Sequence, residues 1–427
     1  HERLVGSEMC IRDRYKDVMI RHTHFSISGN TIECIVYLEC LKKVGNNVFD
    51  VYIDFRQIKD LNHFVQSNPN NQIFNKIGPT YIELLSLKTN KRLLTGCYYK
   101  LNIDLLNRFD FVENTESLFI KRSYNLNNMQ YPGVDTEEIL QKHTVLDPQE
   151  LFRNKINGQF TIEELHNYNL KLCVRDVGQA NWNELIDNNI VKYVYDIGAE
   201  LHSKIDDVKK LFYERVDDYK RDKPILVLSH WDIDHIQCML YVDIQTIRDC
   251  FSKCICIDMM KTITSLKIYN NILKALGKDN VYCIRPADRT NGITMHLWNR
   301  IGNIAFYKGE KSRNINYAGL CMFVSGKIKS ANFTGDIKLI QAKYVYDQEK
   351  EFNSNTIDGH ILVAPHHGGD YGKKARSYSQ PTTDVVISVG AGNSYGHPEK
   401  YMLSYLQELC SNNINRTDKN GDVVKSI

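Results

Sequence analysis

The feature that most constrains this chain is a repeated juxtaposition. Short apolar runs that suit buried strands each end on histidine or aspartate. Ile225-Leu226-Val227-Leu228 leads directly into Ser229-His230-Trp231-Asp232-Ile233-Asp234-His235. Asn332-Phe333-Thr334-Gly335-Asp336 closes a second run on a carboxylate. Ile361-Leu362-Val363-Ala364-Pro365 opens onto His366-His367-Gly368-Gly369, and Val386-Ile387-Ser388-Val389-Gly390 leads through Asn393 to Tyr395-Gly396-His397-Pro398. Short apolar runs bounded by turn residues read as strands covered on both faces. One polar residue at such an exit is ordinary capping. Four ligand-type exits in one region exceed what packing asks for.

The densest exit has a geometry suited to metals. His230, Asp232, Asp234 and His235 fall within six residues. In an extended exit His230 and Asp232 point the same way, and Asp234 and His235 turn to opposite sides as the next helix begins. One loop can thus serve two adjacent ions. A carboxylate such as Asp336 has two oxygens and can bridge them. Two ions roughly 3.5–4 Å apart lower the pKa of a shared water and clamp both attacking and leaving oxygens.

Composition sets the frame for this chemistry. The chain has 427 residues, room for two or three domains at roughly 150 residues each. Apolar residues are 42% and charged residues 25%, which excludes wholesale disorder. Lys and Arg exceed Asp and Glu by 54 − 51 = +3, so neither a polybasic nor an acidic tail is present. No run of about 18 apolar residues exists, and the first residues lack the layout of a secretory signal. The expectation is a soluble, cytoplasmic protein with no membrane part. The twelve cysteines include no Cys-x-x-Cys pair. Cys254 and Cys256 alternate with Ile255 and Ile257, as in a buried strand, and the reading is reduced core thiols. His1 to Arg14 has no helical or strand period and resembles translated adapter sequence, so fold reading starts at residue 15.

Residues 15–130 read as a β-rich accessory domain. Thr31 to Leu41 and Asn47 to Phe55 alternate, and Tyr81 to Leu87 and Arg92 to Ile103 flank Lys88-Thr89-Asn90-Lys91, read as a hairpin turn. Ser67 to Asn75 reads as a polar loop, and His22 and His24 as surface residues. Residues 131–167 read as a helical connector, with Asp135 or Thr136 as one N-cap and Thr161 with Glu164 as a capping box. From 168 to 427 strands alternate with helices. Strands are expected at Leu170 to Val174, Val191 to Tyr195, Ile225 to Leu228, Cys254 to Ile257, Val281 to Ile284, Leu320 to Val324, Ile361 to Val363 and Val385 to Val389. Helices are expected at Ile205 to Tyr219 and Glu399 to Cys410. The pattern implies a layered α/β domain.

The ordered set HxDxDH, TGD, PHHG and SVG with YGHP resembles the metallo-β-lactamase superfamily. More narrowly, it is similar to the soluble hydrolase domain of ComEC-type competence proteins and their free-standing relatives. Arg175-Asp176-Val177-Gly178-Gln179-Ala180 resembles that branch's opening segment, with Ala180 in place of glycine. Tyr195-Asp196-Ile197-Gly198 resembles the superfamily's first Asp motif, and Arg416-Thr417-Asp418-Lys419-Asn420-Gly421 the branch's closing segment. The resemblance spans 168–427 and implies an αββα sandwich with metals at one sheet edge. It implies His230, Asp232, Asp234 and His235 as ligands and Asp336 as a bridge. One of His366 and His367 completes a site, with His367 favoured. His366 and His397 would then face substrate, and Asp196 would support the ligand loop. Two departures stand out. Zinc β-lactamases have histidine where Asp232 stands, and a carboxylate there favours oxygen-loving ions such as manganese while keeping zinc feasible. The separate histidine motif before TGD is absent. His296 lacks its flanking residues, and Asn314 and Asn316 are closer to what this branch has.

The resemblance implies a metal-dependent hydrolase, a phosphodiesterase or nuclease using a hydroxide activated by two divalent ions, zinc or manganese. Asp234 would orient that hydroxide and take its proton, and His366 or His397 would hydrogen-bond the phosphoryl group or the leaving oxygen. DNA or a small nucleotide is the implied substrate. A near-neutral chain suits short or single-stranded substrates better than long duplex DNA. The alternatives are an ester, thioester or lactam hydrolase on the same site, or a degraded binding or sensor module. The N-terminal domain is a candidate surface for a protein partner.

Overall fold

The computed structural model describes residues 33–57, 60–61, 64, 81–88, 93, 95–102, 120–125, 165, 169–201, 203–260, 262–290, 295–312, 314–352, 359–369, 384–393, 395–410 and 413–427. The polar loop at 67–75, His22, His24, the turn residues 89–91 and both caps of the 131–167 connector lie outside the described residues. The chain divides into two compact units, residues 1–145 with 261–266 and residues 146–260 with 267–427.

In the first unit, β1 (Glu33–Gly45), β2 (Val48–Phe55), β3 (Tyr81–Lys88), β4 (Cys97–Asn102) and β5 (Ile120–Asn125) form one sheet, ordered β4-β1-β2-β3-β5. Cys34, Val36 and Leu38 of β1 meet Val51, Ile53 and Phe55 of β2 and Cys97, Tyr99 and Leu101 of β4 in one apolar cluster. These alternate positions share a face because strand side chains have a period of two. The expected hairpin between Tyr81 to Leu87 and Arg92 to Ile103 does not form. β3 has β2 on one edge and β5 on the other, so no edge remains for β4. β4 pairs instead with the free edge of the long strand β1.

The second unit carries two seven-stranded sheets. The first comprises β6 (Leu170–Val174), β7 (Asn183–Asp187), β8 (Ile190–Tyr195), β9 (Ile225–Leu228), β10 (Lys253–Ile257), β11 (Val281–Ile284) and β19 (Val423–Ser426). The second comprises β12 (Met295–Ile301), β13 (Ile304–Gly309), β14 (Leu320–Ser325), β15 (Lys329–Phe333), β16 (Gly359–Val363), β17 (Asp384–Ile387) and β18 (Ile414–Arg416). Their orders are β11-β10-β9-β8-β7-β6-β19 and β12-β13-β14-β15-β16-β17-β18. Each sheet is antiparallel on one side and parallel on the other. β8 to β11 run parallel in the first, and β15 to β18 in the second.

Among the described residues the α-helices are α1 (Ile205–Tyr213), α2 (Val216–Asp222), α3 (Ile233–Ile236), α4 (Ile244–Cys250), α5 (Ile263–Leu276), α6 (Leu339–Phe352), α7 (Lys400–Leu409) and α8 (Thr417–Asn420). The two sheets meet through rings, Tyr193 against Phe306 at 6.1 Å and Tyr195 against Phe333 at 5.5 Å. On the far face of the second sheet, Ala305, Tyr307, Leu362 and Ile387 pack with Ala342 and Val345 of α6 and Met402 and Leu406 of α7. The architecture is mixed α/β. The expected helix over Ile205 to Tyr219 is broken in two at Arg215, whose guanidinium grips both oxygens of buried Glu184 at 2.9 and 3.0 Å. Ten of the eleven described cysteines are buried. Among the described residues no helix is long and apolar enough to cross a membrane.

The sheet directions place the ligand-type residues. Asp196 follows β8, His230 follows β9, Asp336 follows β15, His366 and His367 follow β16, and His397 follows β17. All of these strands are parallel, so their C-terminal ends gather at one edge of their sheets, where open α/β sheets form their crevices.

Candidate metal centre

Asp196 is the hub of the site. It is fully buried and sits in the left-handed region at φ 58°, a conformation that aspartate tolerates better than most residues. Its Oδ1 accepts the Ser229 backbone N–H at 2.7 Å. Its Oδ2 accepts the Ser229 hydroxyl at 2.7 Å, Asn181 Nδ2 at 2.9 Å and His235 Nδ1 at 2.8 Å. With both oxygens occupied by Ser229, Asn181 and His235, Asp196 braces its neighbours and has no free oxygen to offer. Gly198 completes this support. A Cβ there would lie 1.7 Å from the Asp234 carbonyl oxygen, so only glycine lets the 196–198 turn clamp the start of α3.

The same network sets the ring orientations. Ser229 gives its one hydroxyl proton to Asp196, so its oxygen accepts from His230 Nδ1 at 2.9 Å. His367 Nδ1 donates to the Ser388 carbonyl at 2.9 Å. His230, His235 and His367 therefore all have Nδ1 tied outward and Nε2 presented inward with its lone pair. Partners of this kind fix the tautomer of ligating histidines.

Two groups of inward atoms can each hold a metal ion. His230, His235 and Asp336 form one, and Asp234, His235 and His367 the other, with the ligand atoms of each group within 4.8 Å of one another. Asp336 Oδ1 lies 3.1 Å from His235 Nε2, and Asp336 Oδ2 lies 3.7 Å from both His230 Nε2 and His366 Nε2. Asp234 Oδ2 lies 3.2 Å from His367 Nε2. None of these approaches is aligned as a hydrogen bond for His235 Nε2, His367 Nε2 or Asp336 Oδ1, which are buried without a partner. Unsatisfied buried polar atoms are costly. A divalent cation satisfies imidazole nitrogen and carboxylate oxygen together, so the donor set fits.

Charge balance supports this. Burial opposes ionisation of Asp336, yet His366, His235 and His230 hold its carboxyl well below the usual range. Burial is likewise overcome at Asp234, which His235 and His367 keep low. Burial would lower His235, but Asp336, Asp234 and Asp196 push it well above its usual value. His367 is raised against burial by Asp234. Protons and a cation compete for the same nitrogens, so metal binding at these rings expels protons. His397 differs. Burial, then His366 and His367, push it down to about 3, and the ring is neutral.

The structure brings His230, Asp234, His235, Asp336 and His367 together. Asp232 lies beside them, 3.8 Å from His230 Nε2, but outside both close groups. His366 stands at the mouth with its side chain 25% exposed, and its ring is 5.5 Å from that of His397. His366 and His367 are both left-handed, at φ 49° and 56°, a strain of about 1–2 kcal/mol each in a non-glycine residue. Strain of this sort collects at functional sites. His296 is not part of the site and pairs with Glu310 at 3.0 Å. Asn314 caps its own turn by accepting the Asn316 N–H at 3.0 Å. Sequence reasoning missed Ser229, Asn181 and Ser388 as supports. Asn316, which the sequence singled out with Asn314, donates its Nδ2 to Asp232 Oδ2 at 2.9 Å. No known family model and no curated protein matches this chain.

Proposed function

We propose that residues 168–427 form a metallo-β-lactamase-type αββα domain, similar to the soluble hydrolase domain of ComEC-type proteins, and that the protein is a metal-dependent phosphodiesterase. The observation that carries the reading is the pair of His/Asp groups that meet at His235, with buried donor atoms left without partners at the shared C-terminal edge. His230 and Asp336, with Asp232 alongside, would hold one divalent ion. Asp234, His235 and His367 would hold the other. Bound ions supply Lewis acidity, which makes water nucleophilic near neutral pH and offsets charge on phosphoryl oxygens. The oxygen content added by Asp232, Asp234 and Asp336 suits manganese as well as zinc.

The chain's own residues do the rest. A carboxylate held as low as that of Asp234 is a weak base, so its part is to ligate and to accept a hydrogen bond from water rather than to store a proton. His366, partly exposed at the mouth, and the neutral ring of His397 would contact a phosphoryl group. The +3 chain favours a short or single-stranded nucleotide substrate over long duplex DNA. The test is metal analysis of the purified protein followed by assays on bis-p-nitrophenyl phosphate, single-stranded DNA, duplex DNA and an acyl ester. Phosphodiester cleavage that needs added manganese or zinc and disappears in Asp336→Asn supports the reading. Full hydrolysis by Asp336→Asn, or cleavage of the acyl ester alone, overturns it.

A further inference from the structure

Gln179 lies in the loop between β6 and β7 and is 2% exposed. Its Oε1 accepts the Gly390 backbone N–H at 3.4 Å, and its Nε2 lies 3.3 Å from His397 Nδ1. A backbone N–H can only donate, so Gly390 fixes which end of the Gln179 amide is oxygen. The other end, an NH2 that can only donate, then faces His397. Nδ1 of His397 must accept, which leaves the ring's proton on Nε2. The loop that carries the ring is itself held. Asn393 Nδ2 donates to the Gly390 and His397 carbonyls at 2.9 and 2.7 Å, and Asn393 Oδ1 accepts the His397 N–H at 3.1 Å. The proton-bearing edge lies over Gly369, where a Cβ would come within 2.7 Å of Nε2.

We propose that Gln179 is a positioning residue that locks His397 as its Nε2–H tautomer, so that His397 meets substrate as a hydrogen-bond donor and not as a base. The second half of this statement rests on the phosphodiesterase reading, and the tautomer does not. His397 is thereby the reverse of His230, His235 and His367, which carry their proton on Nδ1.

Long-range 1H–15N correlation spectra of the full chain with 15N-labelled histidine test the tautomer. The His397 signal is assigned by its loss in His397→Gln. The wild type carries the proton on Nε2. Gln179→Glu, whose carboxylate only accepts, moves it to Nδ1, and Gln179→Leu gives a mixture if the buried glutamate prevents folding. With bis-p-nitrophenyl phosphate and added manganese, Gln179→Glu lowers kcat on the order of 10–100-fold, the loss of one hydrogen bond to a charged group. KM changes less than threefold, and no further loss appears in a His397→Gln background. An Nδ1–H wild type, an unmoved proton in both Gln179 variants, or losses that multiply with His397→Gln would overturn the proposal. A wild type that cleaves no phosphodiester overturns the functional reading instead, and the spectra then decide the tautomer alone.

Discussion

Replacing Asp196 with asparagine tests the hub of the site without touching a proposed ligand. The side chain keeps its shape, but one oxygen becomes an NH2 group. All four groups that meet the carboxylate are donors, namely the Ser229 N–H, the Ser229 hydroxyl, Asn181 Nδ2 and His235 Nδ1. An NH2 in place of Oδ1 faces the Ser229 backbone N–H, which cannot turn. In place of Oδ2 it faces the other three, and His235 can adapt only by moving its proton to Nε2, which removes its inward lone pair. Either arrangement leaves at least one buried donor unsatisfied, at about 1–3 kcal/mol. The surviving bonds lose charge assistance, about 1 kcal/mol each. The expected destabilisation is about 4–6 kcal/mol, a fall in melting temperature on the order of 10 °C. Metal affinity, measured by competition with a chelating dye, falls about 10–100-fold. A variant that melts within 2 °C of wild type and binds manganese within threefold would show that Asp196 does not organise the ligands.

Three further outcomes follow from the same geometry. Asn316→Ala frees the Asp232 carboxylate that it now holds at 2.9 Å, and dye competition registers a roughly tenfold loss of metal affinity; an unchanged affinity would remove Asn316 from the site. His366→Gly, compared with His366→Ala, relieves a left-handed backbone at φ 49°, so the metal-free glycine variant is about 0.5–1 kcal/mol the more stable of the two in urea unfolding while both lose hydrolysis; equal stabilities would locate the backbone strain elsewhere. The pH dependence has a definite sign. His235 and His367 are raised above their usual 6.5 and Asp336 is held below its usual 3.8. The His contribution to metal-free stability is fully present below about 6.5 and is lost as pH rises through the raised folded values. The Asp336 contribution is present above 3.8 and is lost as pH falls through its depressed value. Melting of the metal-free protein should therefore decline from neutral toward alkaline pH, while manganese affinity rises over the same range; parallel trends would refute the proton competition.

What the sequence made legible divides along physical lines. Ligand chemistry admits few residue types, and a buried parallel strand is a short apolar run. The exits at His230, Asp336, His367 and His397 could thus be read from local pattern alone. The supports could not. Gln179 meets His397 across 218 residues, and Asn316 meets Asp232 across 84; both lie in segments that the sequence singles out, but no local pattern says what their amides hold. Strand β7 escaped notice because its sequence, Asn183–Asp187, is polar. It is buried because Arg215 and Tyr219 pair with Glu184, and Asn183 is tied to Asn181. That same pairing broke the helix expected over 205–219. In the first unit, turn-type residues at 88–91 suggested a hairpin, but strand partners are chosen by which edges stay free.

One device accounts for both kinds of histidine at this edge. A neutral imidazole has one proton and two nitrogens, so whatever fixes the outer nitrogen decides what the inner one offers. His230, His235 and His367 meet outer acceptors, a serine oxygen, a carboxylate and a backbone carbonyl. Each therefore turns a lone pair inward and suits a cation. His397 meets an outer donor, the Gln179 amide, and turns an N–H toward its free edge, which suits an anionic oxygen. Exchanging an acceptor for a donor behind any of these rings would change its role without altering its position. A serine-to-alanine change at 229 should accordingly weaken metal binding even though Ser229 touches no ion, because the outer side of His230 would lose its acceptor. Metal affinity in Ser229→Ala equal to that of the wild type would show that the rings are held by packing and not by their outer hydrogen bonds.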